Sequence, residues 1–184
     1  MKILVAYFTQ TGNTKVIAEA IHEEVLSRGN DASLVCVEKL APGKLDDYDL
    51  VFLGSACHDT DLARPVKSLL SKMTPSPPFC LAGFVTHATY LPQGGERQRK
   101  LHEEWAGNCK KTFERTCQRK SIAWCGYFSC QGAPSAPIED FIHRKIVMDT
   151  REWEEYLNEV RKHPDEADRG NARQFAREVL AQIK

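Results

Sequence analysis

The chain has 184 residues, and 25 lysines and arginines balance 25 aspartates and glutamates for a formal net charge of +0. That length suits one folded domain with a sizeable core, and 42% hydrophobic with 27% charged residues describes a globular chain rather than a disordered one. The neutral balance excludes the basic surface of a nucleic-acid binder, and no apolar run approaches the roughly 18–20 residues that span a bilayer.

Ile3–Phe8 is a continuous apolar run, as a strand covered on both faces requires. It superficially resembles the start of a signal peptide. The apolar stretch is short, however, and polar Thr9-Gln10-Thr11 follows at once, so the segment reads as a buried strand and the protein as cytoplasmic. From Thr14 to Ser27 the spacing turns helical: Ile17, Ile21 and Val25 recur on one face, and Gly29 is placed to close the helix. Ser33–Val37 and Leu50–Ser55 are the next two strands. Leu62–Met73 reads as a helix with Asp61 as its N-cap and Pro65 in the first turn, where amides have no helical partner anyway.

A fourth strand, Phe79–Thr86, follows the breaker Pro75-Ser76-Pro77-Pro78. After Gly94-Gly95 comes a long helix whose Leu101, Trp105, Cys109, Phe113 and Cys117 form a stripe expected to face the core. Ile122–Phe128 is the fifth strand, Ala133–Pro137 a proline-rich loop, and amphipathic segments around Trp153–Val160 and Phe175–Leu180 lie on either side of Pro164. Strands alternating with helices predict an α/β fold, a parallel sheet with helices on both faces and right-handed crossovers. The seven cysteines are odd in number and hold no C-x-x-C pair, which argues against a disulfide scaffold or a zinc ribbon. Cys36, Cys80 and Cys125 sit in apolar runs, where cysteine behaves as a small hydrophobe.

In open parallel sheets ligands bind beyond the carboxyl ends of the strands, so the loops after strands one, three, four and five are the ones to read. After strand one stands Thr9-Gln10-Thr11-Gly12-Asn13-Thr14, directly before a helix. A helix N-terminus offers unpaired amides and the positive end of its dipole to an anion. Thr9, Thr11 and Thr14 add hydroxyls, Asn13 an amide, and Gly12 allows the backbone to approach closely. A phosphate can be held this way without lysine or arginine. The G-x-x-x-x-G-K-[ST] and G-x-G-x-x-G patterns are absent, which weighs against nucleotide hydrolysis and that style of dinucleotide binding. A merely capped strand-to-helix turn is the alternative, and the run of matching positions in this context weakens it.

The six residues Thr9–Thr14 resemble the [TS]-x-T-G-N-T phosphate-binding signature of the flavodoxin family. The resemblance implies a three-layer α/β/α sandwich with a five-stranded parallel sheet in the order 2-1-3-4-5. It implies one flavodoxin-like domain over residues 1–184, with an extra segment around 133–162 before the last helix. It implies FMN as cofactor, with Gln10 and the rest of Thr9–Thr14 around its phosphate, and electron exchange with a redox partner protein or a small-molecule acceptor. An FMN-dependent NAD(P)H:quinone-type oxidoreductase is the alternative, since the fold hosts carriers and enzymes alike.

Around the flavin ring the resemblance implies Ser55, Ala56, Cys57 and His58 after strand three, Thr86, His87 and Tyr90 after strand four, and Cys130 at the end of strand five. Tyr90 is the candidate for stacking on the ring. The family's loop after strand three often carries an aromatic cover and a glycine whose peptide flips. Here there is no aromatic beyond His58 and no glycine between Gly54 and Gly83, so strong stabilisation of a half-reduced flavin is not expected. Adjacent Cys57 and His58 make neither a nucleophile triad nor a four-ligand metal site. The cancelling charges point to a less extreme reduction potential than in acidic carriers.

Overall fold

A computed structural model describes residues 1–183. In β1 (Lys2–Tyr7), Ile3, Leu4, Val5 and Ala6 are all 0% exposed, and they divide between two cores. Ile3 and Val5 pack with Ile17, Ile21 and Val25 of α1 (Asn13–Ser27) and with Phe175 and Val179 of α6 (Glu166–Gln182). Leu4 and Ala6 pack on the opposite face with Val66 and Leu69 of α2 (Arg64–Lys72) and with Cys109 and Phe113 of α3 (Glu96–Lys120). The two-residue period of a strand sends alternate side chains to opposite faces, so a run that is apolar throughout needs helices on both.

The other strands are β2 (Asp31–Cys36), β3 (Leu50–His58), β4 (Asp61–Leu62), β5 (Cys80–His87) and β6 (Ala123–Gln131). Five of them run parallel in the spatial order β2-β1-β3-β5-β6, which is the expected 2-1-3-4-5 when the parallel strands alone are counted. The remaining strand, β4, lies antiparallel to the end of β3, with Leu62 opposite Cys57 and Asp61 opposite His58. This corrects the expected helix start. Asp61 and Leu62 belong to a hairpin, and α2 begins at Arg64 with Pro65 in its first turn. The Asp61 carboxylate accepts from the Leu62 amide at 2.7 Å and pairs with Lys67 at 3.3 Å, so it serves the turn rather than a helix cap.

The segment expected as an extra stretch around 133–162 folds into α4 (Ala136–Lys145) and α5 (Thr150–Val160). Pro137 is accommodated because it falls in the first turn of α4, and Asp149 caps α5 by accepting from the Glu152 amide at 2.9 Å. Ile142, Val147, Tyr156 and Val160 form a third apolar cluster, against which Tyr90 and Trp153 pack. This pair of helices is called the cap below. No helix among the described residues is long and apolar enough to cross a membrane.

After the cap, Asp165 and Asp168 form a reciprocal capping box at the start of α6. The His163 ring hydrogen-bonds Asp168. Burial disfavours charge on His163, but the Asp168 bond and the carboxylates of Asp168, Asp165 and Glu159 outweigh it, so its pKa is raised. A raised folded-state pKa gives stability that is complete below the unfolded value of about 6.5 and is lost as pH rises through the folded value. His163→Gln is therefore expected to flatten the decline in stability as pH rises above about 6.5. Urea unfolding at several pH values reads this directly, and identical profiles for the two proteins would show the pair to be energetically idle.

Candidate functional site

The carboxyl ends of β1, β3, β5 and β6 open into one cleft of about 470 Å³. Gln10, Thr11 and Asn13 stand at one end of it. One wall is the β3–β4 hairpin from Ala56 to Thr60, and the other is the stretch from Thr86 to Tyr90. Trp105 of α3 and Ile138, Phe141 and Tyr156 of the cap complete the apolar end.

At the polar end, Gly12 takes a left-handed backbone with φ of 96° as the N-cap of α1. Its amide donates to Thr9 Oγ1 at 3.0 Å, and its carbonyl accepts from the Val16 amide at 3.1 Å. No side chain caps this helix and no acid sits in its first turn. The positive dipole end and the first amides are thus left to an anionic ligand. Asn13 Nδ2 donates to the Ala133 carbonyl at 2.8 Å, and the Thr14 and Thr86 hydroxyls pair at 2.8 Å, fixing this turn to the ends of β6 and β5.

In the hairpin wall, Asp59 and Thr60 both have positive φ, 49° and 68°. That is the sign pattern of a two-residue type I′ turn, which usually draws Asn-Gly. A tight, glycine-free turn thus joins β3 to β4. A β-branched residue in this region is strained, so Thr60→Gly is expected to raise stability by about 1 kcal/mol. Thermal and urea unfolding check this. A loss of stability would instead mean that the Asn108 Nδ2 bond to Thr60 Oγ1, 3.2 Å long, outweighs the strain. Beside the turn, Cys57 Sγ donates to the Trp105 carbonyl at 3.3 Å, and the His58 ring meets Phe8 edge-on at 5.9 Å.

In the facing wall, His87 is buried and neither ring nitrogen has a hydrogen-bond partner. Burial first, and then the charge of His102, push its pKa down to about 3, although the Thr89 backbone pulls weakly the other way without a well-formed bond. The imidazole is therefore neutral at ordinary pH. Tyr90 lines the cleft, but the cap holds it. Its hydroxyl donates to Glu152 at 2.9 Å and its ring tilts against Tyr156 at 5.2 Å. Burial and then Glu152 push its pKa up to about 12.

Of the residues singled out by sequence, Gln10, Thr11, Asn13, Ala56, Cys57 and His58 line the cleft, as do Thr86, His87 and Tyr90. Thr9, Gly12 and Thr14 do not line the cleft but brace the turn, Thr9 through the Gly12 amide and Thr14 through the Thr86 hydroxyl. Ser55 is 0% exposed, and its hydroxyl accepts from the Ala63 amide and donates to the Ala56 carbonyl. Cys130 is a correction. It is 2% exposed, packs in the core shared by α1 and α6 and does not line the cleft. Its burial pushes the thiol pKa well up. Sequence reading passed over Thr89, Trp105 and the cap residues. Trp105 was read as part of a core stripe, yet only Cys109, Phe113 and Cys117 of that stripe are buried, and the stripe runs out of the core into the site.

The flavodoxin-domain family model matches residues 4–177. The chain belongs to the flavodoxin family. The flavodoxin fold is also evident in solved structures. Oxidised flavodoxin 1 from Bacillus cereus superposes with a TM-score of 0.66 at 13% identity, covering 100% of both chains. Flavodoxin 2 from the same organism gives 0.65 at 18% identity and 99% coverage of each. Rubredoxin oxygen:oxidoreductase from Desulfovibrio gigas gives 0.61 at 12% identity, with 99% of this chain on 36% of that one. Flavodoxins bind FMN and transfer electrons, and this chain is an FMN-binding, flavodoxin-like electron-transfer protein. The residues present fit that cofactor: an uncapped helix N-terminus for the phosphate, a long cleft with apolar walls for the ring, and orphaned polar atoms on His87 and Thr89 for the ring's polar edge.

Proposed function

We propose that the protein is a cytoplasmic carrier that holds a single FMN within one flavodoxin-like domain and exchanges electrons with a redox partner protein. The observation that carries this reading is the meeting, in one cleft, of an uncapped helix N-terminus with an apolar chamber containing unpaired polar atoms. Bound FMN supplies reversible electron storage. The residues of this chain supply its setting. Thr9, Gln10, Thr11, Gly12, Asn13 and Thr14 hold the phosphate through amides and hydroxyls. Ala56, Cys57 and His58 border one face of the ring, with Ser55 fixing that strand from behind, while Thr86, His87 and Tyr90 border the other. In this reading no side chain acts as an acid or base on a substrate.

The cap favours a second reading. Trp105, Ile138 and Phe141 build an apolar mouth that suits a small planar acceptor, as in an NAD(P)H:quinone-type oxidoreductase. One experiment separates the readings. FMN is added to the apoprotein and the complex is titrated with dithionite under visible spectroscopy. Resolved flavin bands followed by a distinct long-wavelength intermediate spectrum support the carrier. Direct two-electron bleaching, with NAD(P)H turnover of quinones, supports the enzyme. Failure to take up FMN removes both.

A further inference from the structure

The imidazole of His87 presents two unused polar atoms to the cleft. It is 3% exposed, it lines the cleft, and both ring nitrogens lack a hydrogen-bond partner. Thr89 Oγ1, in the same wall, is also buried and unpartnered. Native proteins pair most buried polar side chains, so orphaned atoms in a ligand cleft mark the place where a ligand's polar groups belong. The residue is held firmly. Its backbone is paired in β5, and its carbonyl accepts from the Gly132 amide at 2.9 Å.

The surrounding elements present few charges to this ring. From α3, His102 meets it edge-on with centroids 4.8 Å apart, while its own Nδ1 bonds the Tyr90 carbonyl at 3.0 Å. From α5, Tyr156 donates to the Ala88 carbonyl. Tyr90 leads outward to Glu152 and Arg97. From β6, Gln131 donates to the Thr89 carbonyl at 3.0 Å, and from α1 the Thr14 hydroxyl joins that of Thr86. His102 is the neighbour whose charge acts on His87, and it opposes protonation.

We infer that His87 hydrogen-bonds the polar edge of the bound flavin as a neutral donor, and that it takes up a proton when that edge becomes negatively charged on full reduction. This rests on FMN occupying the cleft. In a dry site a new adjacent negative charge strongly favours the charged form of an imidazole. The balance is two electrons from the external reductant, one proton from solvent to the flavin ring and one proton from solvent to His87. Nothing else need be gained or lost. The buried imidazole thereby gives a cleft without lysine or arginine a positive charge only when one is needed.

The direct test uses FMN-loaded protein labelled with ¹⁵N at histidine and observed by NMR near neutral pH, before and after dithionite reduction. His87→Gln, or His87→Asn should the first variant not fold, assigns the resonance by its loss. One His87 ring nitrogen is expected in the unprotonated position before reduction and both in the protonated position after it. A His87 signal that stays neutral overturns the inference. Potentiometry gives a second reading. The two-electron midpoint is expected to fall by about 59 mV per pH unit in the unmodified protein and by about 30 mV in the variant, since each proton per two electrons contributes about 30 mV per tenfold change in proton concentration. Equal slopes overturn the inference while FMN binding stands. An apoprotein that leaves added FMN fluorescence unquenched overturns the FMN reading itself.

Discussion

Replacing Gly54 with alanine is expected to destabilise the protein by about 3 kcal/mol or more, because the added methyl has no room and its neighbour cannot retreat. A Cβ built at Gly54 falls 2.2 Å from two carbons of the Phe84 ring and 2.9 Å from a third. Gly54 lies in β3 directly opposite Tyr7 on one side and Phe84 on the other, so the backbone is fixed by ladders on both flanks. Phe84 is 0% exposed and belongs to the α1–α6 core, where a tilted ring displaces packed neighbours. Urea unfolding measures the loss. The double variant Gly54→Ala with Phe84→Leu gives the mechanism, since contacting residues couple. It is expected to be more stable than the sum of the single effects allows. Simple additivity would mean that the ring is not what the methyl strikes. β3 runs on into Ala56, Cys57 and His58, so the same substitution is expected to weaken FMN binding as well.

Asn13→Asp is expected to lower FMN affinity by about 100-fold or more. A carboxylate held about 5 Å from a phosphate charge costs about 3 kcal/mol at an effective dielectric near 20, and about 1.4 kcal/mol is a factor of ten. The change also sets an oxygen against the Ala133 carbonyl that Asn13 Nδ2 now bonds at 2.8 Å. Asn13→Ala separates the two effects, since it removes the bond without adding charge, and it is expected to cost about tenfold. Fluorescence quenching of added FMN gives both affinities, and unfolding of the apoproteins gives the structural share. If Asp and Ala weaken binding equally, no phosphate sits at this helix end.

The fold was largely legible because its signals are local and repeated. The unbroken apolar run of Ile3–Phe8 can be satisfied only between two layers of helices, and the Thr9–Thr14 turn fixes which end of the sheet binds. What stayed illegible depended on contacts distant in sequence. Asp61 has the chemistry of a helix cap, and only pairing with His58 across a two-residue turn shows that it belongs to a hairpin. Cys130 ends an apolar strand close to the loops, and only its packing with α1 and α6 shows that it belongs to the core rather than to the cleft. Tyr90 was legible as an aromatic of the cleft, but its hold on Glu152 spans 62 residues that no local pattern connects. The apolar residues of α4 and α5 look like any amphipathic pair. Their part in the cleft follows from where Trp105 and Tyr90 meet them.

The cap is built on the smallest of the three apolar clusters among the described residues. Its cluster has four buried apolar side chains, against eighteen on each face of the sheet. Its junctions to the rest run through Tyr156 on the Ala88 carbonyl, Tyr90 on Glu152 and the Ala133 amide on the His163 carbonyl. Free energies of local unfolding follow such differences, so the amides of α4 and α5 are expected to exchange with solvent faster than those of the sheet, which hydrogen exchange measures. A cap that opens ahead of the sheet would set how fast a ligand enters and leaves the cleft, separately from how tightly it is held. Substitutions at Val160, which packs inside the cap and does not line the cleft, would then change residence time without altering a group that meets the ligand.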